Sequence, residues 1–406
     1  MKIYKVGGAV RDFLMRVEPK DIDYVVVGST PEQMISLGYL LVGASFPVFL
    51  HPETQEEHAL ARIDCKSGNG YHGFTSDFNS NVTLKEDLGR RDCRLNSIAM
   101  DSDGNIIDPF NGADDIRNKI LRHTTMAFCE DPVRVLRLAR FSARFTDFTI
   151  APETIELCKQ MIINGELDHL TAERVSEELF KALSEKMPSK FFDVLHSFGA
   201  LEILFPEIHA LIDQTQPVKW HQEGCAYVHT MMVIDEAAKL KSDQIAMFSA
   251  LVHDFGKGVT PKEMLPKHHG HEAAGVPIVD KFCKRLKISN EIIRIAKKVT
   301  RYHGHVHKTN IMNAKTFVKM FDNAGGHNSF SDWEYVAQVA YIDCLGRISD
   351  EPYDSEQYDR FVHIMKKVHY VKLSSLFSPE EIQKLSVDKI KTILYGTRIK
   401  AVKGIL

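Results

Sequence analysis

The 406-residue chain has little of several features that mark specialised classes of protein. Its seven cysteines are odd in number and form no CxxC pair, which favours neither a disulfide framework nor a thiolate zinc site and fits a reducing cytoplasm. No apolar run reaches membrane-spanning length, and Met1–Val10 lacks the basic and apolar regions of a secretory signal. A formal net charge of −3 excludes a uniformly basic nucleic-acid binder, although it leaves room for local basic patches. We therefore expect a cytoplasmic protein without membrane contacts.

The bulk composition is that of an ordinary globular protein. Hydrophobic residues make up 44% of the chain and charged residues 26%, which excludes a disordered or collagen-like polypeptide. At roughly 100 to 200 residues per domain, this length predicts two to four domains, each able to bury its own apolar core.

The pattern of apolar residues changes along the chain and predicts an α+β protein. Short β-branched and aromatic runs separated by turn signals predict an amino-terminal α/β region with a helix at Pro31–Leu37. The predicted strands are Lys2–Val6, Asp23–Gly28, Phe46–Leu50, His58–Arg62 and Asn105–Asp108. Beyond Arg122 the strands should end, and apolar residues at helical spacing predict helices from Asp131 to about Leu204.

Two short motifs near the amino terminus suggest a nucleotide site. Gly7 and Gly8 follow a predicted strand and precede a predicted helix, where small residues let the backbone approach a phosphate and Arg11 adds positive potential. Asp21 and Asp23 come next, and residues two apart on a strand point to the same face. Two such carboxylates need a counter-ion, and oxygen ligands of this kind suit Mg²⁺ together with substrate phosphates.

A row of arginines on one predicted helix adds a basic stripe. Arg134, Arg137, Arg140 and Arg144 fall within an arc of about 120° at about 100° per residue. No acidic partners occur at i+4 along this helix, so the pattern favours an anionic ligand as the counter-charge.

Taken in order, these segments resemble a known family. The order GGAVRD, DxD, RRDxxxNxxA, DPFNG and EDxxRxxR is similar to that of the class II tRNA nucleotidyltransferases, the CCA-adding enzymes of the DNA polymerase beta superfamily. The similarity extends over nearly the whole chain and is greatest to the bacterial multifunctional members. It implies a nucleotidyltransferase head at 1–122, a helical neck and body at 123–220, an HD domain at 221–350 and a basic helical region at 351–406.

The same resemblance implies roles for individual residues. Gly8 and Arg11 would contact the nucleotide, and Asp21 and Asp23 would hold Mg²⁺ and carry the catalysis. The triphosphate and the incoming base would be bound by a further set of residues. In that set Arg91, Arg137 and Arg140 contact the triphosphate, while Asp131 and Arg134 read the base. The glycine-rich segment Lys66–Thr75 is expected to act as a mobile lever that closes when specificity switches from CTP to ATP.

The second half of the chain contains most of the histidines and a second possible metal site. The ordered set His229, His253, Asp254 and Asp343, together with His268, His269 and His271, offers imidazole and carboxylate ligands for a borderline divalent metal. It resembles the HD superfamily of metal-dependent phosphohydrolases. The resemblance implies phosphatase, 2′-nucleotidase and 2′,3′-cyclic phosphodiesterase activities with Ni²⁺ or another divalent transition metal, and Lys257 beside the substrate phosphate. Spacing leaves open which further histidine takes part; the candidates are His268, His269 and His303.

The predicted function is template-independent addition and repair of the 3′-terminal CCA of tRNA from CTP and ATP, combined with the HD hydrolase. Basic residues between Lys281 and Arg301, and six more between Lys384 and Lys403, could follow phosphates of the acceptor stem and elbow. Two alternatives stay open: a poly(A) polymerase, and an HD phosphohydrolase whose head only binds RNA. Sequence leaves undecided whether one enzyme adds both C and A, and whether the chain is a monomer or a homodimer.

Overall fold

The protein forms two compact units. A computed structural model describes residues 1–42, 47–66, 74–325, 329–348 and 354–406. Met1–Leu204 make up the first unit and Phe205–Leu406 the second. The first unit contains the strands and the second is helical in the residues described, which confirms the predicted α+β class. The finer division into four regions stays a prediction.

A mixed sheet forms the base of the first unit. Within the described residues its strand order is β3-β4-β5-β2-β1-β8-β9, and two further strand pairs, β6-β7 and β10-β11, lie outside it. The strands are β1 Lys2–Val6, β2 Asp23–Val27, β3 Leu40–Leu41, β4 Val48–Leu50, β5 Glu57–Leu60, β6 Ile63–Lys66, β7 Phe74–Asp77, β8 Ala99–Met100, β9 Ile106–Ile107, β10 Ile120–Leu121 and β11 Thr149–Ile150.

The register of the central strands places the amino-terminal motifs side by side. β1 runs antiparallel to β2 with Val6 opposite Asp23, and β2 runs parallel to β5 with Tyr24 opposite His58. The turn that follows Val6 therefore lies beside the first residue of β2. The strand pairing, rather than sequence proximity, brings the glycine turn and the acidic pair to one edge of the sheet.

Helices cover the sheet and complete the first unit. They are α1 Gly8–Leu14, α2 Pro31–Ser36, α3 Leu84–Gly89, α4 Gly112–Arg117, α5 Val133–Arg144, α6 Pro152–Ile163, α7 Ala172–Leu183, α8 Ser189–Phe198 and α9 Ala200–Leu204. The start of α2 could be predicted because Thr30 precedes Pro31, the first residue of the helix. Thr30 caps the helix and forms a capping box with Gln33 in its first turn. Helix α5 packs on α7 and α8, so Val135, Leu138 and most of its other residues are buried.

The prediction that strands end at Arg122 is wrong in one detail. Thr149 pairs in parallel with Ile120, and Ile150 pairs with Leu121, so β10 and β11 form a two-stranded ladder after the head. Such a short pair gives almost no periodic signal. Its pairing depends on α5, which connects the two strands and packs against β10.

The second unit is a helical bundle arranged around α14. Its helices are α10 Pro206–His209, α11 Ala226–Lys239, α12 Gln244–Val252, α13 His271–Arg285, α14 Asn290–Val306, α15 Ala314–Asn323, α16 Ser331–Leu345, α17 Glu356–Tyr370, α18 Pro379–Gln383 and α19 Val387–Lys403. Helices α12, α13 and α16 all pack on α14. Trp333, Phe317, Phe361 and Phe282 are among its fully buried side chains. None of the helices in the described residues is both long and apolar enough to cross a membrane.

Gly256 allows two parts of this unit to approach closely. A Cβ atom at Gly256 would lie 1.9 Å from the carbonyl oxygen of His271, a distance that no side chain can occupy. The segment after α12 therefore packs directly against the first turn of α13. This contact brings Asp254, at the start of one segment, close to His271, at the start of the other.

Candidate active sites in the two units

The first unit contains a cleft of about 510 Å³ at the edge of the sheet. Glycines of the first turn, acids of β2 and β5 and side chains from α5 and α7 contribute to its wall. The polar and glycine residues that line it are Gly7, Gly8, Arg11, Asp23, Tyr24, Glu57, Arg62, Arg90, Arg91, Asp92, Asn96, Asp131, Arg134, Arg137 and Arg174. Most of the predicted nucleotide-site residues thus meet in one cavity, although their roles stay predictions.

The glycine turn brings backbone and guanidinium groups together. Gly7 has a φ of 69°, in the left-handed region that glycine adopts readily, and a Cβ there would lie 2.9 Å from Arg91 Nη1. Arg11, only 4% exposed, donates from Nη1 to Asn96 Oδ1 at 2.6 Å and from Nε to Asp12 Oδ1 at 2.8 Å. Burial lowers the pKa of Arg11 against the opposing effect of Asp12.

The expectation that Asp21 and Asp23 both lie on a strand is wrong. Strand β2 begins at Asp23, and Asp21 lies in the bend before it, because pairing with β1 ends at Val6. Asp23 lines the cleft and Asp21 does not, although both are exposed residues. The two carboxylates still interact: burial raises the pKa of Asp23, the Asp21 charge raises it further, and Arg91 acts in the opposite direction.

Asp87 fixes two arginines of the cleft. Its carboxylate is fully buried, accepting from Arg90 Nη2 at 2.7 Å and from Arg91 Nη2 at 3.1 Å. Burial favours the protonated acid, but the two guanidinium groups outweigh it and hold the pKa of Asp87 below its usual value. The ionised acid therefore positions Arg91 next to the glycine turn. Sequence reasoning missed Asp87, because nothing in the local pattern distinguishes it from an exposed helical acid.

A continuous chain of hydrogen bonds crosses the floor of the cleft. Arg137 Nε donates to Asp92 Oδ2 at 2.7 Å, and Asn96 Nδ2 donates to Asp92 Oδ1 at 2.9 Å. Asn96 in turn accepts from Arg11, so four polar residues are linked. Burial opposes ionisation of Asp92, but Arg137 and Asn96 keep its pKa well below the usual range. Arg137 is therefore held in one orientation before any ligand binds.

The two residues predicted to read the base lie at the start of α5. Asp131 accepts from both ends of the Arg174 guanidinium, at 2.9 Å to Oδ1 and 2.7 Å to Oδ2. Arg134 donates from Nη1 to the Ala127 carbonyl at 2.5 Å and also lines the cleft. Arg174, on α7, was not anticipated from the sequence, since its partner lies 43 positions away.

The arginine stripe has no acidic partner at i+4, as the sequence indicates, but acids of other segments pair with part of it. Arg140 Nε donates to Glu178 at 2.7 Å, and its Nη1 donates to Glu185 at 3.1 Å. Arg144 pairs with Asp12 at 3.0 Å. The i+4 rule considers only the helix itself, whereas these acids come from other segments. Arg140 does not line the cleft, so the structure does not bring it to the predicted triphosphate site. The predicted lever at 66–75 lies largely in residues 67–73, outside the described ones.

The predicted HD residues converge in the second unit. His229 Nε2 lies 2.9 Å from Asp343 Oδ1, and His253 Nε2 lies 3.2 Å from Asp254 Oδ2. The ligand atoms of His229, His253 and Asp254 all lie within 4.8 Å of one another, and the three residues are buried. Burial opposes ionisation of both acids. The pKa of Asp254 is nevertheless held well below its usual range by His253 and Lys257, and that of Asp343 by Arg347 and His229.

The structure also indicates which other histidines join this cluster. His271 Nε2 and His303 Nε2 lie 3.2 and 3.6 Å from Asp254 Oδ1, whereas His253 lies nearest to the other carboxylate oxygen, Oδ2. Both nitrogens of His268 are instead engaged, by Thr260 and by the Thr215 carbonyl. His303 therefore fits the open position better than His268, and His271, which the sequence pattern also offered as a ligand, joins the cluster.

The arrangement of these imidazoles fits a metal site. The Nδ1 atoms of His253, His271 and His303 each lie within 3.2 Å of a backbone carbonyl, which leaves the Nε2 lone pairs facing Asp254. His253 Nε2, His271 Nε2 and Asp254 Oδ1 are buried and form no hydrogen bond. Unpaired nitrogen and carboxylate atoms of this kind suit a borderline divalent ion.

Charged groups surround the HD cluster. Lys257 Nζ contacts Asp254 at 2.5 Å and donates to Gln216 at 2.6 Å. His307 Nε2 lies 2.7 Å from the outer oxygen of Asp343. Glu223 Oε1 lies 3.0 Å from His229 Nδ1, so a second carboxylate supports this imidazole from behind. These groups orient the ligands, and Lys257 places a positive charge next to them.

Replacing the buried acid of the first unit tests how its arginines are held. Asp87→Asn should lower the free energy of unfolding by about 3–5 kcal/mol at neutral pH, because it leaves two guanidinium groups without their counter-charge. Since the folded pKa of Asp87 is depressed, its contribution is present above the unfolded value and is lost as pH falls below about 4. Denaturant unfolding at several pH values measures this. The exposed Asp114→Asn, which loses only its pair with Arg117, should cost under about 1 kcal/mol; equal costs for the two variants would contradict the assignment.

Comparisons with known proteins identify three known domains in the chain and place its fold. Residues 3–122 match the poly A polymerase head domain, 147–212 match the probable RNA and SrmB-binding site of polymerase A, and 221–325 match the HD domain. Among solved structures, the Bacillus stearothermophilus CCA-adding enzyme in complex with CTP is 21% identical, with a TM-score of 0.66 over 99% of this chain and 89% of that chain. The Thermotoga maritima CCA-adding enzyme complexed with tRNA is 20% identical, with a TM-score of 0.62 over 99% and 87%. A CCA-adding enzyme complexed with ATP is 20% identical, with a TM-score of 0.63 over 99% and 86%. The chain therefore carries a poly A polymerase head domain and an HD domain in the fold of the CCA-adding enzymes, which confirms its resemblance to the class II tRNA nucleotidyltransferases with an HD domain.

Proposed function

We propose that the first unit adds the 3′-terminal CCA to tRNA from CTP and ATP without a nucleic-acid template, with release of pyrophosphate. The observation that carries this proposal is a single cleft that combines an acid of the DxD motif, a fixed row of arginines and a carboxylate–arginine pair at the base-reading positions. CCA-adding enzymes of the same fold have been solved with CTP, with ATP and with tRNA. Those complexes support the choice of substrates.

The chemistry assigned to this cleft is an in-line displacement at the α-phosphate by the RNA 3′ hydroxyl. Asp21 and Asp23 would hold Mg²⁺ ions, whose chemistry is to stabilise the attacking and leaving oxygens. Arg91 and Arg137 would bind the β- and γ-phosphates, and their guanidinium groups can neutralise the charge that builds as pyrophosphate leaves. Because Asp87 and Asp92 already hold both arginines, little order has to be imposed on them when the nucleotide binds.

Base selection is assigned to Asp131 and Arg134. Cytosine and adenine both present an exocyclic amine beside a ring acceptor, so one carboxylate acceptor and one arginine donor suit both bases. Uracil and guanine would place a carbonyl against Asp131, leaving buried polar groups without partners, which disfavours binding by orders of magnitude. Arg174 acts as a positioning residue that fixes the Asp131 carboxylate through two hydrogen bonds.

We also propose that the HD cluster is a metal-dependent phosphohydrolase that acts on phosphoesters at RNA ends and on nucleotides. His229, His253, Asp254 and Asp343 would hold a divalent ion, with His271 and His303 placed to hold a further one; the ion supplies Lewis acidity at a phosphoryl oxygen. Lys257 would bind the substrate phosphate beside them. Phosphatase, 2′-nucleotidase and 2′,3′-cyclic phosphodiesterase activities, preference for Ni²⁺ and a role in RNA repair belong to this proposal, as does cytoplasmic location.

Sequencing the ends of a tRNA transcript that lacks CCA, after incubation with CTP and ATP, tests the transferase. The unaltered protein should add C, C and A and then stop. Asp23→Ala and Asp21→Ala should reduce incorporation by about 10³-fold or more because the metal ligands are lost. Asp103→Ala removes an exposed acid outside the cleft and should have no effect. Long AMP runs with ATP alone would instead identify a poly(A) polymerase. Full activity of Asp23→Ala would indicate that the head only binds RNA.

The positioning role of Arg174 predicts a change in selectivity. Arg174→Ala should lower the ratio of kcat/KM for CTP to that for UTP by about tenfold or more, because the Asp131 carboxylate loses its fixed orientation. Arg174→Lys should restore part of the ratio, and Arg117→Ala, which removes an exposed arginine of the same unit, should leave it unchanged. Single-nucleotide incorporation kinetics measure the ratio. A purely structural role would lower both rates equally and leave the ratio intact.

Loss of a ligand in the second unit should separate the two activities. His253→Ala and Asp254→Asn should abolish hydrolysis of a 2′,3′-cyclic nucleotide and weaken divalent-metal binding measured by calorimetry on chelator-treated protein, while CCA addition persists. The exposed His363→Ala is the matched control and should leave both unchanged. Metal binding and hydrolysis that survive His253→Ala would exclude this cluster as the hydrolytic site.

A further inference from the structure

Two adjoining clefts lie on the surface of the second unit, away from the HD cluster. Their volumes are about 490 and 520 Å³, and they share Arg301, Tyr302 and Asn323. The first is bordered by α13 and α14 and the second by α14, α15 and α19. Together the ionisable side chains that line them are Arg294, Lys297, Lys298, Arg301, Lys315, Lys319, His305 and Asp332. We call this pair of clefts the basic groove.

Part of the positive charge of the groove is already neutralised within the protein. Asp332 is buried, and Arg294 and Lys298 both donate to its Oδ2. Lys297 pairs with Asp280 at 2.7 Å. These three cations therefore shape the first cleft but contribute a reduced net charge to it.

Three other cations of the groove have no acidic partner in the part of the chain that the structure describes. Arg301 contacts the face of Tyr302, at 5.5 Å from the ring centroid, and no carboxylate. Lys315 and Lys319 are exposed, one turn apart on α15, and Asp332 is the single acid among the residues that line either cleft. The groove therefore carries positive charge that no acid among the described residues offsets. Because the whole chain has a net charge of −3, this local positive charge is not needed for solubility.

The amino-terminal end of α15 adds to this potential. Asn313 caps the helix by accepting from the Thr316 amide at 3.1 Å, and both residues line the second cleft beside Lys315. The positive end of the helix dipole and the lysine thus act in the same place.

We propose that the basic groove binds the phosphodiester backbone of the RNA substrate; this inference rests on the proposed function for the identity of that RNA. The stretch of α14 from Arg294 to His305 measures about 17 Å at 1.5 Å per residue. Of the three unpaired cations, Arg301 lies on this stretch, and Lys315 and Lys319 line the adjoining cleft from α15. Unpaired cations distributed over two joined clefts fit successive phosphates of one strand better than a single nucleotide. Contacts of this kind position an RNA by its shape and charge and do not read its sequence.

The test compares RNA binding by the full-length protein and a triple variant, Arg301→Ala/Lys315→Ala/Lys319→Ala. Fluorescence anisotropy with a tRNA transcript that lacks CCA, repeated over a range of KCl concentrations, gives the affinity and its salt dependence. The variant should bind roughly tenfold or more weakly at low salt, and the slope of log K against log[salt] should fall by about 2 to 3 for three lost contacts. A second triple variant, Lys262→Ala/Lys366→Ala/Lys367→Ala, removes three exposed lysines outside the groove and should change neither quantity.

The source of the phosphate is distinguished in the same assay. The groove variant should lose affinity for a short RNA duplex of unrelated sequence to the same degree as for the tRNA. If millimolar inorganic phosphate displaced the tRNA from the unaltered protein by occupying the groove, the groove would be a small-anion site and the proposal would be overturned. If the groove variant kept its melting temperature and showed an unchanged RNA affinity and salt dependence, Arg301, Lys315 and Lys319 would be solvated surface residues that do not contact RNA. Asp23→Ala should retain RNA binding, because Asp23 lies outside the groove. RNA binding and CCA addition are thus separate measurements: a failure of CCA addition in the unaltered protein would refute the transferase proposal without affecting the result for the groove.

Discussion

The first unit depends on buried carboxylates that hold arginines at the edge of a cleft. Asp87 and Asp92 lose their hydration on folding, and only close pairing with guanidinium groups offsets that cost. The same pairing fixes Arg91 and Arg137, which would otherwise lose side-chain entropy when a ligand binds. Each acid accepts hydrogen bonds from only some of the N–H groups of its arginines, so the other N–H groups stay available to a ligand. The guanidinium groups therefore line the same cleft as Asp23 in fixed positions.

The second unit uses the opposite arrangement of charge. There the acids, Asp254 and Asp343, are shared among several imidazoles, and the outward nitrogens of His253, His271 and His303 bond to the backbone. The inward nitrogens of His253 and His271 and one oxygen of Asp254 form no hydrogen bond, which is unfavourable in a buried site unless a further ligand completes the set. Fixed arginines suit an anionic substrate, and converging acids and imidazoles suit a divalent cation. The two units thus provide complementary chemistry for phosphate esters.

Much of this could be predicted from sequence because local signals agreed with the tertiary structure. Strand β1 has the predicted bounds, and the glycine turn, Asp23, Arg91 and Asp131 meet as their motifs indicate. Predictions failed where the partner comes from a distant segment. The acids that pair with Arg140 lie 38 and 45 positions away, and no helical periodicity reveals them. Similarly, spacing could not rank the histidines, since the position of His303 depends on how α14 packs against α12.

A crystal structure of the protein with CTP and Mg²⁺ would show directly how the cleft binds a nucleotide. We expect metal density at the Asp21 and Asp23 carboxylates, the triphosphate against Arg91 and Arg137, and the cytosine edge facing Asp131 and Arg134. A triphosphate bound elsewhere, or one bound in the cleft with the arginines still directed only at Asp87 and Asp92, would contradict this expectation.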